Sequence, residues 1–197
     1  MANNKWCVSQ IGAREHYAIP RLLHENGKLQ HLYTDAWCAR LRSLLQIAPN
    51  PFQSLAGRYH DELPEHKVTS FTTQAVAHRL VHSFENFWKK TRGRYDHHLK
   101  VGEAFASAVR NDIMRHRRAE DFDVFFGYNT GCLETFEYLH SSSTLLVLDQ
   151  IDPGLAHIRV IQKESKRWPE WSTGYPEVCN SYESRLDAER KLASLIV

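Results

Sequence analysis

The stretch whose reading decides the fold runs Phe-Asp-Val-Phe-Phe-Gly-Tyr-Asn-Thr-Gly-Cys-Leu-Glu (122–134) and resumes as Ser-Thr-Leu-Leu-Val-Leu-Asp-Gln-Ile-Asp-Pro (143–153). Its apolar runs, 124–126 and 145–148, do not alternate with polar residues, which is how parallel strands covered on both faces read. Between them Leu133, Phe136, Glu137 and Leu139 keep helical spacing. The length of that link suits a crossover helix, so the stretch predicts strand–helix–strand with a right-handed crossover. Each strand gives way to small and polar residues: Gly127, Tyr128, Asn129, Thr130 and Gly131 after the first, Asp149, Gln150, Ile151, Asp152 and Pro153 after the second. Open parallel sheets bind ligands outside the carboxyl ends of their strands, so function is expected at this edge.

Working outward, the chain opens with a similar unit. A strand is predicted over 6–9, a turn over 10–13 and a helix over 14–25, with Tyr17, Ala18, Ile19 and Leu22 facing inward. Pro20 should kink that helix or delay its start. Asn26-Gly27 is a helix stop, and a second strand follows over 29–34, ending at Asp35. Beyond it come a short helix over 40–47, a loop over 49–64 and a strand over 67–71. An amphipathic helix is expected over 75–88, with Val76, Leu80, Phe84, Phe87 and Trp88 on one stripe. A basic turn at 89–94 leads to a longer helix over 98–118 that carries Val101, Phe105, Ala108, Val109 and Ile113 inward. After the opening unit, a helix over 155–163, a Trp-bearing loop over 166–176 and a helix over 182–194 built on Leu186, Glu189 and Ala193 precede another apolar strand start at 195–197. The fold class is α/β, a Rossmann-like doubly wound parallel sheet. A chain that stops on the first residues of a strand is expected to be the N-terminal part of something longer.

Composition narrows the classes. The content is that of an ordinary packed globular chain, and a net charge of +2 says little about partners. Cys7, Cys38, Cys132 and Cys179 are far apart in sequence, which predicts reduced thiols and a cytoplasmic protein rather than a disulfide framework. No apolar run is long enough to span a bilayer, and with a strand predicted from Trp6 no signal peptide is expected. His78 and His82 are spaced for a shared metal but lack a third ligand, as do His97 and His98, so no metal is expected. The basic stretches 89–94 and 115–118 read as solvated helix ends. They lack the aromatic interleaving of a nucleic-acid surface, so no nucleic-acid partner is expected, while peripheral contact with a membrane stays open.

The residues that chemistry would use lie at strand ends. Gly12 and Ala13 form the turn from first strand to first helix, where backbone N–H groups can meet phosphate. No Gly-x-Gly-x-x-Gly is present, so the turn is either a ligand cradle or a plain tight turn. Arg14 and Glu15 beside it can pair with phosphate or sugar hydroxyls, or form a solvated face. Asn129, Thr130 and Gly131 suit a helix cap, and Tyr128 can donate its phenol across the cleft. Asp149, Gln150 and Asp152 can accept hydrogen bonds from hydroxyls or act as a base, although Asp152-Pro153 also suits a turn.

These pieces together resemble a known family. The Gln10–Tyr17 turn with its Gly-Ala-Arg-Glu-His-Tyr, the Tyr33–Asp35 strand end, the 122–131 strand and turn, Leu148–Pro153 and the helix over 182–197 are similar to the N-terminal half of GT-B glycosyltransferases of family 4. The resemblance implies a domain that chiefly holds a glycan, lipid-linked or small-molecule acceptor. It implies a nucleoside diphosphate sugar as donor substrate rather than a resident cofactor, retention of configuration, and a donor-binding C-terminal domain that this chain lacks. Gly12 and Ala13 would face the donor diphosphate. Arg14, Glu15, Tyr128, Asn129, Thr130, Asp149, Gln150 and Asp152 would line the acceptor side. Where family members often carry His, this chain has Tyr128 or Asn129, so the catalytic residue stays unassigned among Tyr128, Asn129 and Asp149. The isolated chain is expected to be inactive, and a glycan- or protein-binding module on the same fold is the alternative.

Overall fold

Six strands form one all-parallel sheet: β1 (Trp6–Gln10), β2 (Leu29–Thr34), β3 (Val68–Ser70), β4 (Val124–Tyr128), β5 (Leu145–Asp149) and β6 (Leu195–Ile196). Their spatial order is β3-β2-β1-β4-β5-β6, which reverses direction between β1 and β4. This is the strand order of Rossmann-like α/β folds, as expected from the sequence. The structure is a computed structural model and describes residues 4–39, 53–73, 75–77, 94–151, 154–171 and 180–197.

The strands are apolar without alternation because both faces of the sheet are buried. Cys7, Tyr33, Phe125, Leu146 and Leu148 enter one core, which Phe105, Val109 and Ile113 of α2 (Arg94–His116) and Phe136 and Leu139 of α3 (Leu133–Leu139) cover. Their strand neighbours Val8, Leu32, Phe126 and Val147 enter the other core, with Tyr17, Leu63, and Ile19 and Leu23 of α1 (Ala18–Glu25). Each such side chain contributes roughly 1.5–3 kcal/mol when fully buried, so neither face tolerates water. Two further helices, α4 (Leu155–Arg167) and α5 (Asn180–Leu192), complete the described chain.

Several elements depart from expectation. The helix predicted over 14–25 starts only at Ala18, because Glu15, His16 and Tyr17 hold left-handed backbone, with φ of 48°, 52° and 61°. Pro20 therefore falls in the first turn of α1, where a missing N–H costs no helix bond. The later start also resets the face of α1. Ile19 and Leu23 turn inward, and Leu22, expected inside, is 57% exposed. Helix α2 begins earlier than predicted and ends at His116, leaving Arg118 in a short 3₁₀ turn, Arg118–Glu120. Helix α4 runs on to Arg167, so Lys166 and Arg167 are helical rather than in a loop, at the end that favours cations. Helix α5 spans Asn180–Leu192, two residues earlier at each end than predicted. The helix expected over 40–47, the part of the 75–88 helix that holds His78 and His82, most of the basic turn, Asp152 and Cys179 lie outside the described residues.

One polar knot ties β2 to the end of α2. His31 is buried, its Nε2 lies 2.8 Å from Thr69 Oγ1, and its Nδ1 is 3.0 Å from Arg118 Nη1. Arg118 Nη1 also lies 3.2 Å from Nε2, and a guanidinium can only donate, so one ring nitrogen accepts and the ring is neutral. Burial first, then Arg118, pushes the imidazole down to about 4, while Asp112 pulls it up and His116 adds to the depression. Asp112 also accepts the Tyr33 hydroxyl at 2.8 Å and lies 3.2 Å from His116 and 3.6 Å from Arg118.

An unfolded imidazole takes its proton near its ordinary 6.5, and the folded one refuses it until about 4. Stability from this site is therefore complete above pH 6.5 and lost as pH falls through the interval, by at most about 3 kcal/mol. Urea midpoints measured across that interval should fall with acid, and His31→Gln should flatten the difference. An unchanged slope in the variant would refute the assignment.

Candidate functional site at the topological switch point

From the reversal of strand order, β1 leads to α1 on one face and β4 leads to α3 on the other, so a crevice opens where their loops part. On the β1 side Gly12 has φ +95° and donates its amide to Asp35 Oδ1 at 2.8 Å. Arg58 Nη1 reaches the same oxygen at 3.1 Å and would lie 2.7 Å from a Cβ at position 12. Glycine is required there twice over, by its dihedral angle and by the room the guanidinium needs. The Gly12 carbonyl accepts from Gln10 Nε2 at 2.7 Å.

The left-handed run that follows costs roughly 1–2 kcal/mol per residue for a chain of L-amino acids. Burial of Tyr17, edge-on to Trp37 at 5.4 Å, offsets part of it. Its effect is to fold Arg14 back over the crevice. The Arg14 guanidinium sits 5.0 Å above the Tyr128 ring, reaching from the β1 loop to the end of β4. Burial lowers its pKa and Arg58 adds to that, while Tyr128, Asp149 and Asp35 hold it up. Arg14 Nε and Gln10 Oε1 are buried without a hydrogen-bond partner, a donor and an acceptor left open at the same edge.

Tyr128 and Asp149 are register partners at the ends of β4 and β5. Burial, then Asp149 and Glu15, push the Tyr128 phenol up to about 12 against the pull of Arg14, so it stays a donor at neutral pH. Burial and Glu15 raise the Asp149 carboxyl, and Arg14 lowers it. Gly12, Arg14, Glu15, Tyr128 and Asp149 thus share one rim. A guanidinium, a phenol and a carboxyl of raised basicity can together bind hydroxyl groups and assist removal of a proton.

The turn after β4 is built differently from the cap expected of Asn129, Thr130 and Gly131. Helix α3 starts after Cys132 with no side-chain cap of its own, and Thr130 takes φ 71°. The cap comes from α5. Glu189, fully buried, accepts the amides of Thr130 at 2.6 Å and of Cys132 and Leu133 at 3.2 Å each. Arg185 holds the Thr130 carbonyl at 2.8 Å and grips Glu134 with both arms at 2.7 Å. On the opposite side a Cβ at Gly102 of α2 would overlap the Thr130 carbonyl oxygen. Asn129 is buried and its amide bonds to the Asp149 carbonyl, while Gln150 Oε1 accepts from Arg190 Nε at 2.8 Å and is held by α5.

Asp35, Arg58 and Glu189 are the site residues that sequence reasoning passed over. An acid just beyond a strand end, opposite a glycine turn, was the available signal for Asp35. Arg58 lies in a loop without periodicity, and Glu189 was counted only as an inward helix position. Among the described residues no group of three or more His, Cys, Asp or Glu is placed to hold a metal ion, and no helix is long and apolar enough to cross a membrane.

Fold and site define an α/β domain with a Rossmann-like parallel sheet and a polar cleft at its switch point. No protein-family profile, curated protein or solved structure matches the chain.

Two substitutions test how the turn is held. Glu189→Ala strips three amides, one buried and two partly buried, of their acceptor and should cost at least about 3 kcal/mol in urea unfolding, or prevent folding. Gly102→Ala, which in an open helix would gain about 1 kcal/mol, should destabilise instead. A stabilised Gly102→Ala variant would mean that the helix and the turn are not in contact.

Proposed function

We propose that the chain is the acceptor-side domain of a glycosyltransferase of the GT-B kind, using a nucleoside diphosphate sugar as donor. The observation that carries this reading is the meeting of Arg14 from the β1 loop with Tyr128 from β4 and Asp149 from β5 at the switch point. The resemblance of the 10–17, 33–35 and 122–131 segments to that family supports it. In this reading Asp149 receives an acceptor hydroxyl, Tyr128 donates to a second oxygen, and Arg14 faces the charge that develops on the departing diphosphate. Glu15, Asn129 and Thr130 border the acceptor.

Two positions suited to phosphate are already filled by the chain's own carboxylates: the Gly12 amide by Asp35 and the N-terminus of α3 by Glu189. That favours hydroxyl recognition here, with the main diphosphate cradle on a facing donor-binding domain. The same filling also favours a second reading, a glycan-capturing module without catalysis, which a transfer assay with the facing domain supplied would separate.

Amide NMR of the chain gives the first test. Methyl glucoside, methyl mannoside and N-acetylglucosamine should each be titrated, with UDP and GDP as controls. At least one sugar should shift the signals of Arg14, Tyr128, Thr130 and Asp149, and Arg14→Ala or Asp149→Asn should weaken it by about tenfold, the worth of a charge-assisted bond. Shifts at this rim from nucleotides alone, or from none of the probes, would overturn the reading.

A further inference from the structure

A second hollow opens at the same sheet edge on the face covered by α2, over the ends of β2 and β3. Its volume is about 180 Å³; Ile11, Phe71, Val101 and Phe105 supply its apolar lining, and Asp35, Arg58, His97 and His98 its polar one. Phe71 meets Phe105 edge to face at 5.9 Å, and Tyr33 stacks on the other side of Phe71 at 6.4 Å, so the apolar wall is fixed by packing. An engineered apolar cavity of about 150 Å³ accepts benzene, so this one has room for a single six-membered ring.

The polar wall is unevenly used. Asp35 is nine-tenths buried, and its Oδ1 takes the Gly12 amide at 2.8 Å, Arg58 Nη1 at 3.1 Å and the Thr34 hydroxyl at 3.4 Å. Among the described residues no hydrogen bond reaches its Oδ2, nor do Nε and Nη2 of Arg58 make one. That oxygen keeps solvent access, so the lining carries an acceptor that an incoming donor can take over from water. Asp35 and Arg58 also neutralise each other, so this pair offers a charged ligand no net opposite charge. A sugar ring would press hydroxyls against phenylalanine and leave them unpaired.

We infer that this hollow binds an uncharged, ring-sized ligand of the phenol class. Its ring lies against Phe71, Val101 and Phe105, and its hydroxyl donates to Asp35 while accepting from Arg58. The site stands whether or not the Arg14–Tyr128 rim carries glycosyl transfer; where it does, the phenol is the apolar end of the acceptor.

The test uses the 197-residue chain with 4-methylphenol and toluene, which differ only by the hydroxyl. The phenol should bind saturably by calorimetry, and toluene about tenfold more weakly or less, the worth of a hydrogen bond to a charged group. Val101→Phe should abolish binding with the circular dichroism unchanged. Should that variant misfold, nuclear Overhauser contacts between the ring protons and Val101 or Phe105 in the unaltered chain answer the same question. Equal affinity for toluene, binding untouched by Val101→Phe, absent contacts or absent binding would each overturn the inference. The sugar titration reads the Arg14 rim independently, so the two readings fail separately.

Discussion

The Glu189 carboxylate is the constraint on which the carboxyl edge of the sheet depends. Between β4 and α3 the chain turns through a left-handed Thr130 and exposes three amides that no local side chain caps. Left alone, those amides would repel one another and draw in water or an anion. A carboxylate from α5, far away in sequence, takes all of them at once. Burial raises its pKa, and the Thr130 amide, Arg185 and the Cys132 amide pull it down again. Arg185 then fastens the same turn through its carbonyl and through Glu134, and Gly102 lets α2 press against it from the other side. Tyr128 and Asn129 owe their positions to a turn held by two helices, α5 and α2.

The β1 side follows the same logic with different residues. Asp35 takes the Gly12 amide and Arg58 balances the charge, so the loop is drawn toward β2 and not outward. The left-handed residues that follow then bring Arg14 back across the crevice onto Tyr128. Two anion-binding positions typical of this fold are thus occupied from within, while a guanidinium with an unpaired Nε stays at the seam. That distribution sets what the edge can recognise. In the proposed readings hydroxyl groups take the donors and acceptors of the rim, and a weakly polar ring takes the hollow beside Phe71.

Much of the scaffold was legible in the chain. Unbroken apolar runs at 124–126 and 145–148 mark strands buried on both faces, and residues from three strand ends, Gly12, Arg14 and Glu15 after β1, Tyr128 of β4 and Asp149 of β5, do meet on one rim. Local patterning misjudged the start of α1, because propensity cannot reveal that the fold holds Glu15, His16 and Tyr17 in left-handed backbone with Tyr17 buried. It then misplaced Leu22 for the same reason, since one late start rotates the whole helix.

What the sequence by itself determined is the parallel sheet, the placing of polar residues at its carboxyl edge and the absence of a glycine-rich phosphate fingerprint. These follow from periodicity and residue type, which act over a few neighbours. Tertiary structure alone decided which backbone amides stay open, that Glu189 is a cap and not a core residue of convenience, and that Asp35 keeps one oxygen free beside a ring-sized hollow. Such pairings join residues tens of positions apart, and only the folded chain brings their charges within hydrogen-bond reach.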